Sequence, residues 1–480
     1  MSEEQEKKSL DQKIARFLPS IEKPTYQQSF NKKLKWTLFA LLLYLSLSYI
    51  TILGVQKTSY EQFRFFEIVL GSKFGSMMTL GIGPIVTGGI ILQLLVGAKI
   101  INWDTTEPEG QRKFQTWNKL LSLIFCVVEA VAFVIAGALP ISGGSMTTVL
   151  VILQLTAGGV IALLLDELVS KWGFGSGISL FIAAGVANQI LIRVFSPLSA
   201  SCTPGNLGQC LPTSDSPPSG LLWQFFIYSF SGNLIQTIGT ALPMITTVII
   251  FLLVVFIQDI GIDIPLSFSA MRGFGRSWTL KFLYASNIPV ILAAALLAQL
   301  QIFGRIGVQS VTAEMSCSWL ACYDKQNQIV GGIAYYLTSP GNMLNGVIQG
   351  TLTNTQLIRA FTYLSFFSLM TMIFSIFWVS TSGMDAASVA EQLESIGMQI
   401  PGYRSDKKSM EAVLSKYIPY LAVLGGLAIG VFAAMADFIG VMVSGTGILL
   451  TVMILYNLYE QLSAENLEGA HPLVKRILGE

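Results

Sequence analysis

The chain has 480 residues, 52% of them hydrophobic and only 12% charged, about half the charged share of a soluble domain. That composition excludes a soluble globular protein and marks a membrane protein. With 29 Lys and Arg against 28 Asp and Glu, net charge names no nucleic-acid or acidic partner, and only its distribution informs. The stretch 1–33 is polar and lacks the short apolar core and small-residue cleavage site of a secretory signal peptide, so it is expected to stay in the mature protein. Within it Ile14, Phe17 and Leu18 recur at helical spacing, which predicts an amphipathic helix on the cytosolic membrane face, a solvated tail being the alternative. Ten apolar stretches then suit spans of about 20 residues: 34–54, 83–101, 118–138, 147–167, 177–195, 237–257, 282–303, 357–379, 416–437 and 443–460. An even number puts both termini on one side. Roughly three quarters of the 29 Lys and Arg fall on that side, which the positive-inside rule makes cytosolic.

Between the first two spans, 60–81 mixes Glu61, Arg64, Glu67 and Lys73 with Phe65, Phe66, Ile68, Val69 and Leu70, too polar to face lipid. The run Gly81-Ile82-Gly83-Pro84 then breaks the helix, and Pro84 suits the first turn of a new one. This reads as a short helix folded in from outside, a break, and a proper span. Non-helical backbone at membrane depth is tolerated only where it is buried in protein or lines a cavity, which points to a pore. Five spans precede the polar, Pro/Gly/Ser-rich segment 196–220 and five follow it. An inverted five-plus-five repeat is therefore available geometrically, although no self-similarity of sequence proves it.

Cys202, Cys210, Cys317 and Cys322 all fall in the two long loops assigned to the external face, where disulfides form. Three connectivities are open, Cys202–Cys210 with Cys317–Cys322 is favoured, and four free thiols remain the alternative. Cys126, inside the third span, is expected to be packed.

The run at 79–93, TLGIGPIVTGGIILQ, resembles the second-span signature of the SecY family, whose eukaryotic counterpart is the alpha subunit of the endoplasmic-reticulum Sec translocon. LDELVSKWGFGSGISLF at 165–181, SNIPVIL at 286–292, Gly402-Tyr403-Arg404, and GTGILLT at 445–451 leading to Tyr459-Glu460-Gln461 agree with it. The likeness runs from about residue 33 to the C-terminus, is archaeal or eukaryotic in flavour, and fades in the two long external loops.

The resemblance implies an all-α membrane protein with ten transmembrane helices in two pseudo-symmetric halves of five and a re-entrant plug helix. Its parts would be a cytosolic N-tail (1–33), a first half (34–195) with the plug near 65–76, an external linker (196–236), a second half (237–460) and a cytosolic C-tail (461–480). It implies a mid-membrane ring of Ile82, Val86, Ile178, Ile182, Ile291 and Leu450. Ile82/Val86 and Ile178/Ile182 are each spaced i,i+4 and so share a helical face, and a ring of branched apolar side chains gates by dewetting. The plug would hold Phe65, Phe66, Ile68, Val69, Leu70, Ser72 and Phe74. A lateral gate between spans two, three, seven and eight would carry a hydrogen-bonded cluster of Thr87, Glu129 and Asn287. Glu129 stands where relatives often have glutamine, which leaves its protonation state open, and Pro289 is expected to kink span seven near this seam.

Cytosolic loops 6/7 and 8/9 dock a ribosome or motor in this family, and Arg272, Arg276 and Arg404 hold the matching positions. Ala270 and Ser277 make loop 6/7 less basic than is usual, and orientation by the positive-inside rule is a competing reason for all these charges.

The expected function is that of the central pore-forming subunit of a protein-conducting channel in the cell membrane. It would pass unfolded secretory polypeptides across and release transmembrane segments sideways into lipid. Partners implied are a SecE (gamma-type) and a beta-type small subunit, the ribosome, signal sequences and nascent polypeptides, and membrane lipid. No GxxxxGK[ST] loop, metal cluster or nucleophile constellation stands out, and His471 lies in the polar C-tail, so neither a cofactor nor enzymatic activity is expected. A secondary transporter with an inverted repeat is the rival, but it needs convergent polar groups where the apolar ring would sit.

Overall fold

In lipid the backbone has only itself to satisfy its polar groups, so the apolar stretches of this chain must become helices. A computed structural model describes residues 18–26, 28–55, 73–101, 103, 108–139, 141–199, 217–268, 275–305, 315–324, 329–341, 343–395, 397–399 and 407–469. The first half comprises α1 (Phe30–Leu47), α2 (Gly83–Gly97), α3 (Pro108–Ile135), α4 (Ser145–Trp172) and α5 (Gly177–Phe195). There follow α6 (Leu221–Phe230), α7 (Leu234–Gln258), strands β1 (Gly261–Phe268) and β2 (Gly275–Lys281), and α8 (Ile288–Arg305). Next come β3 (Met315–Cys317), β4 (Cys322–Asp324), β5 (Ile329–Gly331), α9 (Ile333–Leu337), α10 (Met343–Gln349) and α11 (Asn354–Thr381). The chain closes with α12 (Ala386–Ser395), β6 (Met398–Gln399), α13 (Lys407–Leu414), α14 (Ile418–Ile439) and α15 (Gly445–Gly469).

Every expected span is met by a helix. Among the described residues six helical stretches are long and apolar enough to cross a membrane, lying in α3, α4, α5, α7, α11 and α14. Their outward faces expose Leu153, Leu252, Phe256, Phe361 and Leu424, the apolar surface that a lipid-facing protein needs. The 15-residue α2 is only ~22 Å long, because the turns of 73–82 make the rest of its crossing. Helix α8 starts at Ile288, so Pro289 sits in its first turn and does not kink it; at that position the missing N–H costs nothing.

The loops hold structure that the hydropathy reading left out. The segment read as a plain external linker contains α6, an uncharged run, LLWQFFIYSF, packed on α7. Strands β2-β1-β6 form one small sheet and β3-β4-β5 another. In the first, Ser267 pairs with Gln399 and Phe268 with Met398, so loops 6/7 and 8/9 are joined. In the second, Cys317 and Cys322 face each other and form the favoured disulfide. Cys202 and Cys210 lie outside the described residues. Cys126 is free and buried, as expected.

The two halves meet along two seams. Helices α2 and α3 pack on α8, and α2 also on α11; on the other side α5 packs along α15. These last two run antiparallel. Gly175 lies beside Gln461 at one end of the pair, and Val194 shares a small cluster with Met442 at the other.

Candidate functional site

The segment before α2 is irregular backbone in the protein interior. Met78, Thr79, Leu80 and Ile82 are all buried, and the segment pairs much of its own backbone. Met77 N–H donates to the Ile50 carbonyl, Thr79 N–H to Ser76, Gly81 N–H to Met78 and Gly83 N–H to Leu80. Gly81 adopts φ +49°, which its missing side chain permits. Gly158 of α4 lets the backbone lie close, since any Cβ there would collide with the Met77 carbonyl. The helix that follows buries residues on every side, Gly83 through Val86, Gly88 through Ile90, and Leu92, Gln93 and Val96. A span enclosed by protein in this way fits the wall of a pore better than a lipid-facing element. Of the plug positions only Phe74 is described, buried against Phe133 with ring centroids 5.7 Å apart. Phe65, Phe66, Ile68, Val69, Leu70 and Ser72 lie outside the described residues, as do Ile14 and Phe17 of the N-tail.

The six apolar positions come from both halves and share one apolar interior. Ile82, Val86, Ile182, Ile291 and Leu450 belong to one continuous buried cluster, and Ile178 packs against it. Ile82 and Ile182, each only 1% exposed, are among the largest fully buried side chains of the protein. Five of the six are buried.

At the first seam three polar side chains meet. Thr87 Oγ1 donates to Glu129 Oε1 at 2.7 Å. Gln299 Nε2 lies 2.9 Å from the same carboxylate oxygen and 3.1 Å from Thr87 Oγ1. The cluster ties α2, α3 and α8 together, and Glu129 is 5% exposed. Thr87 and Glu129 were expected there and Gln299 was not. Asn287 is not part of the cluster, because it precedes α8 and lies twelve positions, ~18 Å of helix, from Gln299. Its Oδ1 instead accepts from Ser286 Oγ at 3.1 Å, and that hydroxyl accepts from Asn457 Nδ2 of α15 at 2.7 Å. The signal that could have found Gln299 is an amide inside an otherwise apolar span, at a seam where another intramembrane polar group needs a partner.

At the opposite end of α8 from the disulfide sheet, the β1–β2 hairpin carries Arg276 at the second position of β2, paired across the strands with Leu266. Arg272, between the two strands in sequence, and Arg404 lie outside the described residues, and β6, which precedes Arg404 in sequence, joins the same sheet. Among the described residues no group of His, Cys, Asp or Glu could hold a metal ion.

The sequence model of the SecY family matches residues 76–459. Protein translocase subunit SecY of Methanothermobacter thermautotrophicus is 39% identical over 467 residues, covering 96% of this chain and 97% of the relative. That of Methanocaldococcus jannaschii is 40% identical over 461 residues, covering 96% and 97%. Among solved structures, one described as the structure of a protein conducting channel superposes with a TM-score of 0.77 at 39% identity, covering 96% of this chain and 98% of its own. Sec61 in the canine ribosome–channel complex from the endoplasmic reticulum superposes with a TM-score of 0.75 at 39% identity, covering 96% and 97%.

Proposed function

The chain belongs to the SecY family, and from that premise we propose how its residues divide the work of the channel. It is the pore-forming subunit of a protein-conducting channel, which passes unfolded secretory polypeptides and releases transmembrane segments sideways into lipid. In our reading Ile82, Val86, Ile178, Ile182, Ile291 and Leu450 form the seal. Supporting this reading is that these six side chains, drawn from four helices and the break before α2, belong to or pack on one buried apolar cluster. Branched apolar side chains exclude water and ions at rest and deform around an extended chain, whose backbone they cannot hydrogen-bond and so do not retain.

The seam of Thr87, Glu129 and Gln299 is the lateral gate. A signal sequence inserted between α2 and α8 exchanges their hydrogen bonds for its own contacts, and the freed polar groups turn to the water of the opened pore. Residues 65–76 act as the plug on the external side. The termini and the β2-β1-β6 sheet face the cytosol, where Arg272, Arg276 and Arg404 offer charge to ribosomal RNA phosphates. The likeness to a Sec61 that is bound to the ribosome supports that partner. SecE (gamma-type) and beta-type subunits complete the assembly, and the chain is a conduit without chemistry of its own.

Cysteines placed at Ile82 and Ile291 test the reading. A secretory chain stalled in transit is expected to crosslink to both, whatever its sequence. Adducts at neither position, with adducts forming elsewhere on the chain, would remove the ring from this site.

A further inference from the structure

Two helices that carry ring side chains begin in the same unusual way, at opposite ends of the molecule. Helix α5 starts with Ser176-Gly177 and α15 with Ser444-Gly445. In each case an aspartate near the end of the preceding helix reaches back to the new helix's first amides. Asp166 Oδ1 accepts from Ile178 N–H at 2.8 Å, and the Gly177 amide also points at that carboxylate. Asp437 Oδ1 accepts from Gly445 N–H at 2.6 Å and Thr446 N–H at 3.4 Å, while its Oδ2 accepts from Tyr363 Oη at 2.8 Å. Both glycines are needed for the approach. A Cβ on Gly177 would lie 2.6 Å from Asp166 Cα, and one on Gly445 would collide with the backbone of Ala436 and Asp437.

The match extends to the ring. Ile182 lies five positions after Gly177, and Leu450 five positions after Gly445, so each sits ~7.5 Å beyond its clamped amides. Because α5 and α15 are antiparallel neighbours, one aspartate fixes its helix from one end and the other from the opposite end. This is the relation an inverted repeat requires. The aspartates stand at different distances from their glycines, eleven residues in one half and eight in the other, which hides the similarity from a plain reading of the sequence.

We propose that Asp166 and Asp437 are a matched pair of positioning residues, one per half, which fix the heights of α5 and α15 and so hold Ile178, Ile182 and Leu450 at their places in the ring. A helix N-terminus has unpaired N–H groups that a side-chain oxygen satisfies. Removing that oxygen frees the first turn to shift along the axis, and a shift of one residue, ~1.5 Å, is enough to unseat a single ring side chain. The inference rests on the ring reading above, and the experiment separates the two.

The channel complex, reconstituted in planar lipid bilayers, is assayed for resting potassium conductance and for thermal stability. Asp166→Ala and Asp437→Ala are each expected to raise the resting conductance about fivefold, the population shift that follows from losing a helix cap. Asp166→Asn and Asp437→Asn keep an acceptor oxygen and are expected to seal like the parent. A role in stability alone predicts instead that the alanine channels melt earlier and still seal, which would overturn the proposal, as would asparagine channels that leak as much as alanine ones. If an alanine chain does not accumulate, Asp→Glu at the same position, with its oxygen moved by one methylene, carries the test, a leak supporting and a seal refuting it. Leu450→Ser is the control for the ring. If it seals, the ring reading fails and takes the clamp with it; if it leaks while the aspartate variants seal, the clamp alone fails.

Discussion

The two seams between the halves are built of different materials. Where α2 and α3 meet α8, the contact includes a buried cluster of Thr87, Glu129 and Gln299. Where α5 meets α15, the helices contribute Phe181, Ile182, Val186, Leu449, Leu450 and Met453, all buried and all apolar, to the central cluster. The first kind of contact loses little when water reaches it, because each polar group exchanges one hydrogen bond for another. The second loses about 25 cal/mol for every Å² of apolar surface exposed. In the function proposed above, a molecule with one seam of each kind opens at the polar one and turns about the apolar one.

The largest effect is expected from breaking the apolar side. Ile182→Asp puts a charge into the buried apolar cluster, at a cost of about 3 kcal/mol on insertion scales. Such a channel should melt well below the parent in detergent and lose its resting ion barrier. A stable, sealed Ile182→Asp channel would mean that this seam tolerates polarity as the other does. A smaller effect is expected from Glu129→Leu, which removes the oxygen that Thr87 and Gln299 share and leaves them only each other and the Gly83 carbonyl, at about 0.5–1.5 kcal/mol for each hydrogen bond lost. The loss falls on the closed state, because the open gate lets water satisfy both groups. Secretion of substrates with weakened signal sequences should therefore rise, while Glu129→Gln, which keeps an acceptor, stays near the parent. Equal secretion by all three channels would end the distinction between the seams.

Much of this was legible in the sequence, and the remainder failed for identifiable reasons. Hydropathy placed the ten spans because lipid leaves apolar backbone little choice but the helix. Gly81-Ile82-Gly83-Pro84 announced the break before α2, since two glycines and a proline punctuate a helix whatever surrounds them. The Cys317–Cys322 pairing was within reach because so short a separation allows a hairpin. The hairpin strands, GIDIPLSF and GRSWTLK, do alternate, with Ile262, Ile264, Leu266 and Phe268 at every second position, but so short a period-two signal is averaged away in a hydropathy window long enough to find a span. The partner of Glu129 was the hardest to see. Choosing Gln299 over Asn287 requires the relative height of α3 and α8, and height is fixed by tertiary packing that no local pattern records.

That choice supplies the finest test of the comparison, because both residues belong to α8 or its approach and differ in what they touch. Gln299→Leu removes the donor shared by Glu129 and Thr87 and leaves Thr87 still bonded to Glu129 at 2.7 Å. Interhelical hydrogen bonds in membranes average about 0.6 kcal/mol, so secretion through weakened signal sequences should rise by about two- to threefold, less than for Glu129→Leu. Asn287→Ala deletes a group bonded to Ser286, which is tied to Asn457 of α15, and leaves the polar seam untouched. Its gating should match the parent. A double-mutant cycle on secretion decides the matter: Gln299→Leu combined with Glu129→Leu should fall short of additivity because the two share one cluster, whereas Asn287→Ala combined with Glu129→Leu should be additive. Additivity in the first pair and coupling in the second would return Asn287 to the gate and leave Gln299 as a satisfied amide in a packed helix.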